Sequence, residues 1–461
     1  MNLKLTQEIT QRCHNLTYDS LPETVVDRVQ YLLLDYIGVA ARGSLSDSSR
    51  PIQSVISSLE NTQDGAVVIG TNIMATPPYA ALANGIASHS LELDDVVNEA
   101  SLHPAVAIMT AALAAAHIAG CTGKEFIAAV AAGYEVTIKL GIALDPSAHY
   151  AQGFHPTGTC GTMGAAITAA KILKLDQKSM QNALGIAGSQ AAGSMEFLSD
   201  GAFTKRFHPG WAAHSGIIAA LLAQNHFTGP GTIIEGKFGF LHSYSPKSDP
   251  TKILNNWGKP YEVMKTSIKS HACCRYKQGP IDAILQIMRE YDLSDSDIEN
   301  VTLSILNAGF ALVAEPEDIK YNPKSIVDAQ FSMPFGAAMA ILYGKATLDE
   351  YTQPNLHSPA VKKMMTKIRC IKDPDIEKDF PKKWAAVAKI ETTTGKQYAA
   401  NIDYPKGDPE NPFSWEELIA KFQNLISPVY PEPRQIQIIE KVRSLDQIRD
   451  VIELSKLLAN D

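Results

Sequence analysis

Residues 89–104 read HSLELDDVVNEASLHP and lie between two runs of small apolar residues, PPYAALANGIAS at 77–88 and AVAIMTAALAAA at 105–116. No other feature limits the fold as much. The flanking runs predict core helices, and an acidic segment joining them is an odd use of charge, because isolated carboxylates are expensive to bury. Glu92, Asp94, Asp95 and Glu99 therefore have two readings. In one, the segment is a solvated loop in which Asp94 or Asp95 caps a neighbouring helix. In the other, these carboxylates and His103 converge where a proton is transferred.

The small-sided pattern recurs at 125–143 (EFIAAVAAGYEVTIKLGIA), 161–173 (GTMGAAITAAKIL) and 211–224 (WAAHSGIIAALLAQ). Residues 21–42 carry apolar positions at helical spacing, with Pro22 near the start. Alanine and glycine at these densities let helices approach closely, so the first 260 or so residues read as one large, nearly all-helical domain. The character changes from about 266. VTLSIL (301–306) alternates as a strand does, and AVAKIETTTGKQYAANI (386–402) predicts a hairpin turning at Thr394-Gly395. The helix-like AQFSMPFGAAMAILYG (329–344) falls between them, which makes a smaller α+β unit. PKGDPENP breaks the chain at 405–412, Ser414 is placed to cap a helix beginning WEELIAKF, and a last helix is expected at 433–458. Periodicity alone assigns these C-terminal helices to neither unit.

A formal net charge of −8 argues against nucleic acid or an anionic membrane as the main partner and leaves room for a small anionic substrate. The segment 105–120 is apolar but short and interrupted by His117, so it reads as a buried helix and not a membrane span. MNLKLTQEITQRCHNL lacks the apolar core of a signal peptide, and the six cysteines are scattered without a C-x-x-C pair. A cytoplasmic protein with free thiols is the expectation. No zinc, iron–sulfur, P-loop or dinucleotide pattern is present, so no metal site is expected.

Three further segments concentrate titratable groups in apolar surroundings: HYAQGFHPTGTCG (149–161) with His155 between glycines, LSDGAFTKRFHPGWAAH (198–214) with Lys205, Arg206, His208 and His214, and TSIKSHACCRYKQ (266–278) with Lys269, His271, Arg275 and Lys277. Each alone has an ordinary alternative as turn or solvated surface. Together with the acidic segment they form the inventory for removing a proton beside a carboxylate. Cations hold the substrate carboxylates, a base takes the proton, and donors meet the developing enediolate.

In order, HS-x-E-x-DD…HP, GFH-x-TG…G-x-x-GAA, TKRFHPGWAAHSG, ACCRY…ID and YPKGDPENP resemble the MmgE/PrpD family, which includes 2-methylcitrate dehydratase, cis-aconitate decarboxylase and iminodisuccinate epimerase. The resemblance covers nearly the whole chain. It implies a mainly α protein, with an all-α helical domain from 1–265 and 410–461 and a smaller α+β lid domain from 266–409. It also implies a homodimer that works without metal or organic cofactor. By position, Glu92 falls where the decarboxylases have an active-site aspartate, and His103 matches their active-site histidine. His155 and Lys205 align with further pocket residues, Tyr321 lies near a lid tyrosine, and Val96 replaces a pocket threonine.

The lid motif departs from the family. Many members place a histidine four residues before the aspartate of IDA, where this chain has Gln278, whose amide does not titrate. His271, upstream, is the candidate to replace it. The expected catalytic set is thus Asp94, His103, His155, Lys205 and His271. Glu92, Asp95, His208, Lys269, Arg275, Gln278 and Tyr321 are the expected substrate ligands. The expected activity is a carbon–oxygen lyase on a small di- or tricarboxylic acid, acting by proton abstraction next to a carboxylate. An isomerase or epimerase, a decarboxylase, or a silent binder of small acids are the alternatives.

Overall fold

The structure is a computed structural model that describes residues 4–59, 62, 64–380 and 382–460. The chain is mainly α and forms two compact units. The first comprises 1–90, 94–266 and 414–461, the second 91–93 and 267–413.

The first unit is built from helices α1 (Glu23–Gly43), α2 (Pro77–Ser88), α3 (Ala105–Ala119), α4 (Gly123–Ala143), α5 (Pro156–Ile172), α6 (Gln177–Gly188) and α7 (Thr204–Gln224). Helix α5 is the hub and packs against α3, α4, α6 and α7. Small residues make this possible. A Cβ on Gly85 of α2 would lie 2.4 Å from the Gly210 Cα of α7, so these two helices cross backbone against backbone. Thr122 begins α4 with a capping box, its side chain accepting from the Glu125 amide. Helix α4 is long and apolar enough to cross a membrane, but 94% of its apolar window is buried by the protein's own packing. Every residue of α3 from Ala105 to Ala116 is buried as well, as expected of a core helix.

The second unit contains α8 (Gln278–Glu290), α9 (Met333–Tyr343) and four strands: β1 (Ile298–Ile305), β2 (Ile368–Lys372), β3 (Ala386–Thr392) and β4 (Gln397–Ile402). The strand order is β2-β1-β3-β4. β1 runs parallel to β2 with Val301 opposite Ile368, and antiparallel to β3 with Leu303 opposite Ala388. β3 and β4 form the hairpin read from the sequence, with Gly395 at φ +79° in its turn. Ala386, Ala388, Ile390 and Thr392 alternate onto the buried face, and α8 packs against β3 and β4.

The chain returns to the first unit with α10 (Trp415–Ile426), capped by Ser414, followed by α11 (Glu432–Arg443) and α12 (Ile452–Leu457). The single helix expected at 433–458 is broken after Arg443. There the backbone leaves the helix and bonds residues 121–123 instead: the Gly123 amide donates to Ile448 and the Val451 amide to Cys121. These tertiary bonds outweigh the continuous helical periodicity.

Candidate functional site

Titratable side chains gather in each unit. In the first, the acidic segment leaves the end of α2 and folds inward. His89 is fully buried, with Nδ1 2.7 Å from Oδ2 of Asp94. His103 places its own Nδ1 3.0 Å from the same oxygen and 2.6 Å from the carbonyl oxygen of Asp95. A carbonyl can only accept, so His103 donates from Nδ1 and its Nε2 carries the lone pair. The same holds for His89 against the carboxylate, and its Nε2 makes no hydrogen bond among the described residues.

Asp95 is spent differently. Its Oδ1 accepts from the Ala105 amide at 3.0 Å, and its Oδ2 from the Tyr134 hydroxyl at 2.9 Å. It therefore caps α3, and burial pushes its carboxyl up to about 8. Asp95 thus serves the first amide of α3 from within a buried segment, not from the solvated loop of the first reading. Asp94 holds two imidazoles. Both oxygens of Asp95, expected to contact substrate, have partners inside the helical unit.

The imidazole cluster extends beyond the acidic segment. The His89 ring stacks on His155 at 5.7 Å between centroids and meets the edge of His103 at 5.1 Å. His155 is the N-cap residue of α5, and its Nδ1 lies 3.0 Å from Nδ1 of His208 on α7, so one ring donates to the other. Lys205 lies one turn earlier on α7. Burial, helped by the Lys205 charge, lowers the proton affinity of three of these rings. His89 and His208 fall to about 4, and His155 falls well below its ordinary value, pressed also by its histidine neighbours. Three imidazoles of the cluster, His89, His155 and His208, are thus held neutral beside the Lys205 charge. Of the residues proposed from sequence, Asp94, His103, His155, Lys205 and His208 share this cluster. His89 was not among them. Its signal was its position at the junction of an apolar helix and an acidic turn.

In the second unit, Lys269 and Glu92 are both buried and face each other at 3.9 Å. Glu92 sits at φ +56°, a left-handed conformation that a non-glycine residue adopts at a cost of order 1 kcal/mol. Nε2 of His271 lies 2.9 Å from Oδ1 of Asp282. Gln278, expected among the substrate ligands, instead clamps the turn that carries His271. Its Oε1 accepts from the His271 amide at 3.0 Å and its Nε2 donates to the His271 carbonyl at 3.0 Å. Arg275 was expected to bind substrate, but its guanidinium pairs with both oxygens of the buried Asp408 carboxylate and lies 5.2 Å over Trp384. Tyr321 likewise spends its hydroxyl on the Ile368 carbonyl of β2 at 2.6 Å. A guanidinium and a phenol satisfied in this way are parts of the unit's own framework. Lys277 is fully buried, its ammonium on the Ala329 and Gln330 carbonyls and the Tyr351 hydroxyl, and burial pushes it down to about 8.

Known proteins resemble the chain along nearly its whole length. The MmgE/PrpD N-terminal domain matches residues 7–253 and the MmgE/PrpD C-terminal domain residues 271–447. A cis-aconitate decarboxylase of Aspergillus terreus is 28% identical over 479 residues, covering 98% of this chain and 96% of its own length. A cis-aconitate decarboxylase-like protein of Aspergillus oryzae is also 28% identical, across 99% of this chain and 98% of its own length. The human cis-aconitate decarboxylase is 26% identical, across 98% and 94%. With family models over both halves, the chain belongs to the MmgE/PrpD family.

Proposed function

We propose that this protein is an enzyme, a lyase that acts on a small di- or tricarboxylic acid by moving a proton at the carbon next to a carboxylate. One observation carries the reading: His103 is held through Nδ1 by Asp94 and the Asp95 carbonyl, so Nε2 is its proton-accepting atom. When Nε2 takes a proton from the carbon, the new imidazolium lies against the Asp94 carboxylate, and Lys205 offsets charge on the substrate carboxylate as the enediolate forms. In a dehydration, the electron pair left on carbon expels a β-hydroxide, which leaves as water once protonated, and an alkene remains.

The relatives' activity favours a second reading. In a decarboxylation the substrate loses carbon dioxide, the electron pair stays on carbon, and His103, first protonated at Nε2 from solvent, delivers that proton to the carbon. The same imidazole serves both directions.

Incubation with citrate, methylcitrate, cis-aconitate and related hydroxy acids in D2O, followed by proton NMR, separates these reactions. A new alkene with loss of water marks the dehydratase. Carbon dioxide release with deuterium in the product marks the decarboxylase. Deuterium wash-in without net change marks an epimerase. Folded protein that neither converts nor exchanges any of these acids overturns the lyase reading and leaves a binder of small acids.

A further inference from the structure

Helix α8 presents two side chains one turn apart, Gln278 and Asp282, and both act on His271. Gln278 fixes the backbone of residue 271 from its amide and its carbonyl. Asp282 fixes the ring: Oδ1 lies 2.9 Å from Nε2, while Oδ2 accepts from the Lys406 amide at 2.8 Å. A carboxylate oxygen only accepts, so with Asp282 as a carboxylate the hydrogen of this contact sits on Nε2 of His271. Nδ1 is then the open atom. It is buried and has no hydrogen-bond partner among the described residues, although the residue is only 5% exposed. A buried imidazole nitrogen left bare while its residue is held at three points, two on the backbone and one on the ring, is an unusual arrangement for a purely structural histidine, whose polar atoms are normally satisfied.

We propose that Asp282 is the positioning residue of a second acid–base group, His271, and that it sets the Nε2–H tautomer so that Nδ1 is the atom that exchanges protons with substrate. In this role Nδ1 accepts a proton through its lone pair. The resulting imidazolium shares its Nε2–H with the Asp282 carboxylate, and the proton leaves again from Nδ1, so the dyad ends as it began. Gln278 holds the turn in place and never titrates. The inference deepens the proton-transfer reading above and rests on it for the identity of the reaction, while the tautomer stands by itself.

The test uses the full-length protein labelled with 15N-histidine. The His271 resonances are assigned by their loss in His271→Asn, and long-range proton–nitrogen spectra are recorded between about pH 6 and 9. The expected spectrum shows Nε2 protonated and Nδ1 bare. In Asp282→Asn the expected result is a mixture of tautomers. For the acid that the protein converts, kcat is expected to fall about a hundredfold with KM within about threefold, and the limb of the pH profile belonging to His271 to move. Asp282→Glu recovers part of the loss. An Nδ1–H tautomer in the native protein overturns the proposal. So does an Asp282→Asn protein that melts earlier but keeps kcat and the pH profile, because a merely structural aspartate would behave that way. If Asp282→Asn fails to fold, the native spectrum decides alone. If the native protein converts none of the acids, the lyase reading falls and the spectrum still decides the tautomer.

Discussion

His89 makes the stability of the helical unit sensitive to acid, in a direction and by an amount that follow from its burial. Its folded affinity is held down to about 4, chiefly by burial, against an ordinary histidine value of 6.5. A depressed histidine favours the unfolded chain when protons are added. Its contribution is complete above 6.5, shrinks as pH falls through that value, and levels off below about 4. Between about pH 7 and pH 4 the loss amounts to about 3 kcal/mol, a large share of what a typical domain has in hand. Asp95 runs the other way. Its affinity is raised to about 8, so its contribution is full below the ordinary carboxylate value and is lost as pH rises through 8. Raw acid sensitivity therefore mixes opposite slopes, and the informative quantity is the difference between the native protein and His89→Gln, which removes only the imidazole. Denaturant unfolding followed by tryptophan fluorescence reads this well, because Trp211, Trp257 and Trp415 belong to the helical unit. On acidification from about pH 7 to pH 4 the native protein should lose about 3 kcal/mol more than the variant. Parallel pH dependences would refute the argument, since they would mean that His89 binds its proton as easily folded as unfolded.

Four further outcomes are expected. Asp94→Asn should lower kcat about a hundredfold by releasing His103, whereas Asp95→Asn should leave kcat in place and lower stability by about 1 kcal/mol through the weakened cap; the reverse assignment in side-by-side assays would undo the division of labour between them. Lys205→Met should reduce turnover by about two orders of magnitude, and full activity in a folded variant would move the lysine to the surface. Arg275→Met strands the buried Asp408 carboxylate and should destabilise the second unit by about 3–5 kcal/mol in a melting experiment, while an unchanged melt would show the pair to be dispensable. A homodimer is proposed through faces other than α3, which the chain already covers, with Phe203 and Phe207 at the start of α7 among the exposed apolar candidates; sedimentation as a monomer at micromolar concentration would count against it.

The parts of the fold that could be read from the sequence were those set by local chemistry. Alanine-dense runs became buried helices, the Thr394-Gly395 pair became a hairpin turn, and Ser414 became a cap, because each depends on neighbours along the chain. The break after Arg443 depends on bonds to residues 121–123, and periodicity carries no trace of such partners. The site divides along the same line. The residue types that do proton chemistry were visible, but their assignments were not, because adjacent positions with the same chemistry can face opposite ways. Asp94 and Asp95 are one residue apart, yet one meets two imidazoles and the other a helix end and a phenol. Arg275 shows the complementary case, a charge that looked available for substrate and is consumed by Asp408, more than a hundred residues away. His271 carries the argument furthest. Read by position, Gln278 marks a lost histidine, since a motif compares residues along the chain. A carboxylate–imidazole pair is a relation in space, and His271 satisfies it from eleven residues before Asp282, with the glutamine recruited to hold the turn that brings it there. On the proposal above, an amide in place of an imidazole at that point leaves an acid–base group in the unit. It changes which residue supplies the ring, and which of the ring's nitrogens faces outward from the carboxylate.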